Sequence, residues 1–216
     1  MSTNRDIYNE IAESWYNYRH WSRFTTELDE LARRWQKGKL INIGCAHGPD
    51  FLPFKSGFEL WGVDFSVQMI KLALKYAAKF NFSANLVTAD ACDLPFPDGY
   101  FDYAVAVAAY HHIPGKEQRR HALNELHRVL KPGAEAFITV WNRWQPSFWR
   151  KGKEAEIAWK SRGATVYRYY YLFSYLEIER LLKETGFMIL NAAPERRYRF
   201  PLKYFSRNIC IQARAC

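Results

Sequence analysis

Cysteine is scarce and scattered in this chain. Four occur in 216 residues, Cys45, Cys92, Cys210 and Cys216. None stands in a C-x-x-C pair or beside histidines at zinc-ligand spacing. A disulfide-stapled scaffold and a zinc module are thereby excluded, and no metal site is expected. Long apolar runs are also missing. Nothing approaches the ~20 residues that a membrane helix needs, and the opening MSTNRDIYNE lacks the apolar segment of a signal peptide. There are no internal repeats, no low-complexity tracts and no G-x-G-x-x-G string of the kind that seats a dinucleotide pyrophosphate. These absences point to a soluble, cytoplasmic protein with reduced thiols and no membrane partner.

What is abundant is apolar, aromatic and basic. Hydrophobic residues make up 49% and aromatics 17%, enough for a core with rings to spare. Lys and Arg number 31 against 22 Asp and Glu, a formal charge of +9. A basic surface concentrates polyanions; nucleic acid, an acidic membrane and a small acidic substrate all fit it. The length suits one domain over 1–216.

The order of elements alternates helix and strand. Amphipathic helices are predicted over 6–18 and 23–36, inside an N-terminal helical segment 1–38. Short apolar strands follow at 40–43, 60–63 and 85–88, with a helix over 67–80 capped by Ser66. A strand at 101–108 is apolar on both faces, as a central parallel strand is. A helix over 117–130 stops at Lys131-Pro132-Gly133, and a strand follows at 136–141. Residues 143–172 are basic and aromatic without a clear period and read as an insertion after strand five. A helix over 175–185 and strands at 187–190 and 208–213 close the chain. Strands alternating with helices imply a Rossmann-like α/β fold with a mostly parallel sheet.

Three features fall at the carboxyl ends of the first three strands, where such sheets bind ligands. Gly44 and Gly48 flank a turn that lets backbone approach a ligand. Asp64 ends the second strand, where a carboxylate can accept both ribose hydroxyls of an adenosine. Asp90 ends the third, within reach of an adenine amino group. Asp50, just past the turn, would repel a pyrophosphate, whereas S-adenosylmethionine has no phosphate and carries a sulfonium cation. S-adenosylmethionine is the expected cofactor. Phe65, Ala91 and Ala108 complete its wall, with Cys45 a small apolar filler.

With these residues placed, the chain resembles the class I methyltransferases that finish 5-carboxymethyl-uridine at the tRNA wobble position. It is similar both to the stand-alone eukaryotic enzyme and to the methyltransferase domain of an AlkB-type tRNA hydroxylase. The likeness is carried by Tyr8-Asn9-Glu10-Ile11-Ala12 with Tyr18-Arg19 and Trp21, by Asn42-Ile43-Gly44-Cys45 to Gly48, and by Phe101-Asp102-Tyr103-Ala104-Val105 leading to His111-His112. Leu130-Lys131-Pro132-Gly133 to Val140-Trp141 and Arg168-Tyr169-Tyr170-Tyr171-Leu172-Phe173 extend it. Asn42 stands where the family usually has an acid, and Ala46 where it usually has glycine. The resemblance implies a seven-stranded sheet with helices on both faces, S-adenosylmethionine, a tRNA substrate and a small zinc-binding activator subunit.

The implied reaction is an in-line displacement by a carboxylate, which rests on alignment rather than on a strong base. Arg19 and Arg168 are the candidates to hold the acceptor carboxylate by bidentate bonds, and His112 the candidate to orient it. His111, Trp141 and Tyr169 are expected to line the acceptor site, and Arg150 and Lys151 to meet tRNA phosphates. Aromatic rings interleaved with basic residues over 144–171, including Trp149 and Arg162, fit splayed bases and phosphates, as does the tail with Arg196, Arg197, Arg199, Lys203 and Arg207. The third strand, expected at the sheet edge, is the candidate seat for the activator. Two other functions remain open: methylation of a small acidic or aromatic metabolite, and a non-catalytic RNA-binding subunit on the same fold.

Overall fold

The structure, a computed structural model, describes residues 3–148, 150–161 and 163–216. Trp149 and Arg162 lie outside the described residues.

Two helices lead the chain, α1 (Asn4–Tyr18) and α2 (Thr25–Trp35). Then come β1 (Gly38–Ile43), β2 (Phe58–Asp64), α3 (Val67–Phe80), β3 (Asn85–Thr88), β4 (Phe101–Val107), α4 (Lys116–Val129) and β5 (Leu130–Trp141). A hairpin of β6 (Glu154–Ser161) and β7 (Ala164–Tyr171) precedes α5 (Tyr175–Glu184), β8 (Phe187–Pro194) and β9 (Asn208–Ala215). Seven strands form one sheet in the order β3-β2-β1-β4-β5-β9-β8. The first five are parallel, and β9 and β8 run antiparallel. This is the Rossmann-like architecture of class I methyltransferases, with β3 at one edge as expected.

The sheet is central because its strands are apolar on both faces. Ile41, Ala104, Ala106, Ile138 and Val140 pack toward α4 and α5, with Leu123 and Leu126 above them. The alternate positions Leu40, Val105 and Phe137 pack toward α2 and α3, against Leu28, Leu31 and Trp35. Successive strand side chains point to opposite faces, so each strand feeds both layers. Ser66 caps α3 as expected, its hydroxyl accepting from the Met69 N–H at 3.2 Å.

Two stretches depart from the sequence reading. β5 starts at Leu130, directly after α4, and not at Ala136. Leu130 pairs with Phe101, the register then shifts, and pairing resumes at Tyr103 and Glu135. The exposed Lys131-Pro132-Gly133 is a bulge inside a strand, where proline and glycine are tolerated. The second departure is the insertion, which is a regular antiparallel hairpin with Ile157 opposite Arg168 and Trp159 opposite Val166. Its inner face packs on α1: the Trp15 and Trp159 rings lie 5.0 Å apart, and the Trp159 N–H donates to the Ser14 hydroxyl.

Candidate active site

A cavity of about 790 Å3 opens at the carboxyl ends of β1, β2 and β4, beneath α1 and β7. The backbone there is strained at several points. Gly44 has φ +67°, and a Cβ on it would meet the Ala109 Cβ at 2.7 Å. Ala46 (φ 47°) and Ala108 (φ 57°) hold left-handed conformations that cost an ordinary residue about 1–2 kcal/mol. All three line the cavity. The strain pulls the chain back from the strand ends and leaves room for a ligand between them.

Asp64 sits at one end, nearly fully buried. Its two oxygens accept from the Ala46 and Ser66 N–H groups, each at 2.9 Å. Burial pushes this carboxyl up to about 6. The second lone pair on each oxygen stays available to a donor in the cavity. Phe65, Ala91 and Ala108 line this end too, together with Asp90, which is exposed at the mouth and accepts from the Cys92 N–H at 2.9 Å. Stacking surface, ribose-type acceptors and a carboxylate at the rim fit S-adenosylmethionine.

At the other end, His111 and His112 follow β4 under Tyr8 and Tyr170. His112 uses both ring nitrogens: Nδ1 lies 3.1 Å from the Tyr169 carbonyl oxygen and Nε2 lies 2.9 Å from the Tyr8 hydroxyl. A carbonyl can only accept, so the network assigns the proton to Nδ1 and the Tyr8 hydroxyl donates to Nε2. Burial pushes His112 down to about 3. It is neutral and fully committed, so it holds Tyr8 in place and has no proton to offer a substrate. His111 is the reverse. Its Nδ1 accepts from the Trp141 N–H at 3.2 Å, and its buried Nε2 has no partner among the described residues. Burial, with His112 and Arg168 nearby, holds it well below the ordinary histidine range. Neutral His111 therefore presents a single unpaired N–H in the cavity wall.

Arginines gather around this end. The Arg168 guanidinium donates to the Tyr170 hydroxyl at 2.9 Å and stacks over Trp159 at 4.8 Å, with one nitrogen, Nε, buried and unpartnered. The Tyr170 hydroxyl also acts on that of Tyr8, so Arg168, Tyr170, Tyr8 and His112 form one polar row along the wall. Arg19 lies over Trp15 at 4.9 Å, its Nε likewise buried and unpartnered. Burial, then repulsion from Arg23, Arg168 and Arg207, lowers it. Among the described residues no carboxylate forms an ion pair with Arg19, Arg23, Arg168 or Arg207.

Of the residues singled out in the sequence, Arg19, Gly44, Asp64, Phe65, Asp90, Ala91, Ala108, His111, His112 and Trp141 line this one cavity. Others do not. Cys45 turns away into the layer below the sheet, where its sulfur packs near Gly62. Gly48 shapes the turn at φ 92° without reaching the cavity. Arg168 lies behind Tyr170. Tyr169 alternates to the other side of β7, where its hydroxyl donates to Glu154 at 2.9 Å. Arg150 and Lys151 are exposed outside the cavity, with the Lys151 ammonium 5.4 Å from the Phe148 ring centroid. The outer face of the hairpin carries Glu154 and Glu156 beside Lys160 and Tyr167, so it is mixed in charge and not a basic strip. Arg196 is tied to Glu27 and Glu30 of α2.

The sequence reading missed Tyr8 and Tyr170 as wall residues, although both stand in quoted motifs, and it missed His47. Their signal is polar or aromatic residues at inward positions, which pattern alone assigns to the core. Among the described residues no three His, Cys, Asp or Glu side chains gather as a metal site, and no helix is long and apolar enough to cross a membrane.

The fold and the cavity define a class I methyltransferase, and comparison with known proteins agrees. A family model described as a methyltransferase domain matches residues 41–138. A putative methyltransferase of Encephalitozoon cuniculi is 30% identical over 185 residues, 82% of each chain. The mouse tRNA (carboxymethyluridine(34)-5-O)-methyltransferase is 32% identical over 138 residues, covering 62% of this chain but only 19% of that protein. Among solved structures, the 1,6-didemethyltoxoflavin-N1-methyltransferase of Burkholderia thailandensis, with bound S-adenosylhomocysteine, has a TM-score of 0.68 at 16% identity, covering 100% of this chain and 91% of that one. The chain belongs to the S-adenosylmethionine-dependent methyltransferases, and its relatives include the tRNA carboxymethyluridine enzymes. S-adenosylmethionine is its cofactor.

Proposed function

We propose that this enzyme methylates the carboxylate of a 5-carboxymethyl-type wobble uridine in tRNA. The observation that carries the reading is the group of arginines at the acceptor end with no carboxylate partner. Arg168 is buried and Arg19 half-buried, each with a buried Nε that has no partner among the described residues, while Arg23 and Arg207 are exposed. Guanidinium charge taken partly out of water favours an anion beside it, and an acceptor carboxylate supplies that anion. On this reading Arg19 binds the carboxylate directly. Arg168 acts through Tyr170 and sets the charge of the wall. The unpaired Nε2–H of His111 gives one further donor, and Trp141 and Tyr170 offer rings against which a base can stack.

S-adenosylmethionine, when bound, supplies an electrophilic methyl group on a sulfonium. A carboxylate held by Arg19 would take that methyl group in line, with S-adenosylhomocysteine as the leaving thioether and no proton transferred. The neutral state of both histidines suits such a reaction, which needs alignment and exclusion of water and no general base. Residues 1–216 act as one methyltransferase domain in the cytoplasm. RNA phosphates meet Arg150 and Lys151 with the tail residues Arg197, Arg199, Lys203 and Arg207. A small zinc-binding activator extends the sheet at β3, a four-residue edge strand without lysine or proline.

A small acidic metabolite is the second reading. It is favoured by the burial of Tyr170 and His111 in the wall of the acceptor end, which leaves few open ring faces there. Titrating methyl transfer from labelled cofactor against unmethylated tRNA and against small carboxylic acids separates the two.

A further inference from the structure

One corner of the cavity is distinct from both the adenosine acceptors and the arginine end. His47 lies within the Gly44–Gly48 turn and Asp50 two residues beyond it, and both line the cavity. His47 is 0% exposed, its ring wedged edge-on between Tyr16 at 5.1 Å and Tyr76 at 5.3 Å. Neither ring nitrogen makes a hydrogen bond of full geometry among the described residues, although the Arg19 backbone carbonyl lies close enough to act on the ring, so one nitrogen faces that carbonyl and the other stays free. Burial pushes it down to about 4, so at neutral pH it is uncharged and keeps one free acceptor nitrogen. Asp50 is 7% exposed. Burial pushes it up to about 6, and the one group that acts against this is the Ser22 hydroxyl.

Four carboxylates line the cavity: Asp6, Asp50, Asp64 and Asp90. Asp6 caps α1, and Asp64 and Asp90 each accept from backbone N–H groups. Asp50 alone is held by a hydroxyl only. At neutral pH it is a buried anion, and among the described residues no cation acts on it, although Arg19 and Arg23 line the same cavity. A buried, uncompensated carboxylate beside an unpaired neutral acceptor is unstable by itself and is completed by a cation that carries several N–H donors.

We infer that His47 and Asp50 form a receptor for the α-ammonium group of the cofactor, with Asp50 as its counter-charge and His47 as a second acceptor. The corner is continuous with the adenosine end: Asp64 is bonded to the N–H of Ala46, the residue before His47. A ligand whose ribose meets Asp64 therefore extends its amino-acid part along the turn toward Asp50. An ammonium has three donors and no acceptor, which matches two acceptors and a hydroxyl. The inference rests on S-adenosylmethionine as the cofactor, and it is independent of the acceptor.

The test is calorimetric titration of wild type and Asp50→Asn with S-adenosylhomocysteine and with 5′-methylthioadenosine, which keeps the nucleoside and lacks the amino-acid part. Asp50→Asn is expected to weaken S-adenosylhomocysteine roughly tenfold to hundredfold, the scale of one charge-assisted hydrogen bond. It should leave 5′-methylthioadenosine unchanged. The free variant should melt at the same or a higher temperature above pH 6, because it removes a buried charge. His47→Phe is expected to show the same selectivity with a smaller loss. Equal loss for both ligands, or no loss for either, overturns the inference while wild-type binding leaves the cofactor assignment intact. A wild-type chain that binds neither nucleoside overturns the cofactor assignment itself, and the inference with it.

Discussion

Replacing Asp64 by Asn perturbs the cofactor site at one atom, and the structure allows its effect to be worked out. Burial raises this carboxyl from 3.8 to about 6. At 1.36 kcal/mol per unit, keeping it ionised at neutral pH costs the free protein roughly 3 kcal/mol. Asn removes that cost, but it offers one acceptor oxygen where the Ala46 and Ser66 N–H groups use two. One backbone donor is left unpaired, at about 1–3 kcal/mol. The two effects oppose each other, so free Asp64→Asn is expected to melt within a few degrees of wild type. Binding has no such compensation. Loss of a charged acceptor for the ribose hydroxyls should cost about 1.5–3 kcal/mol, or roughly tenfold to hundredfold in Kd. Titration of S-adenosylhomocysteine at pH 7.5 measures it directly. The sign of the pH effect follows from the same raised value. In the free protein, the stability that goes with a raised carboxyl is present below about pH 4 and lost as pH rises through 6. A ligand that donates to the ionised form therefore binds more weakly as pH falls. Between pH 7.5 and pH 5 protonation of Asp64 should lower wild-type affinity by up to about tenfold, and Asp50, raised to a similar value, adds to the drop. An unchanged Kd in folded Asp64→Asn would refute this placement of the ribose.

Three further outcomes are expected. Arg19→Gln should lower kcat/KM for the carboxylate acceptor by roughly tenfold or more, and addition of a neutral amide acceptor analogue should not discriminate variant from wild type in a binding assay. Gly44→Ala should abolish cofactor binding in titration and destabilise the chain by about 1–3 kcal/mol, because its Cβ would meet Ala109 at 2.7 Å with φ at +67°. If tRNA lies across the basic tail, its affinity should fall steeply with salt; charge reversal at Arg199 and Lys203 should weaken it with no change in S-adenosylhomocysteine affinity, and a salt-independent Kd in filter binding would count against that path.

Much of this was legible in the sequence, and the reasons are physical. The β1 turn, Asp64 and Asp90 could be read because buried parallel strands are continuous apolar runs, and glycine and aspartate punctuate their ends. The β6–β7 hairpin could not. Its inner face carries Arg168 beside Trp159 and Tyr170, so a charged residue sits where a period-two count wants an apolar one. The start of β5 was hidden because Lys131-Pro132-Gly133 has the composition of a helix stop, and only pairing with β4 reveals a bulge. His111 and His112 are adjacent and identical in type. Which of them keeps an unpaired N–H depends on the Trp141 N–H on one side and on Tyr8 and the Tyr169 carbonyl on the other, contacts made between elements far apart in the chain. Asp50 was visible as an acid near the turn, but its burial without a cation is a property of the closed cavity.

The most direct test of the whole account is mass analysis of nucleosides from tRNA bearing 5-carboxymethyl-uridine, after incubation with the chain and isotope-labelled S-adenosylmethionine, with and without a zinc-binding activator. The account predicts a labelled methyl ester on the wobble uridine that is lost in Arg19→Gln. An unlabelled wobble uridine in both arms would contradict it.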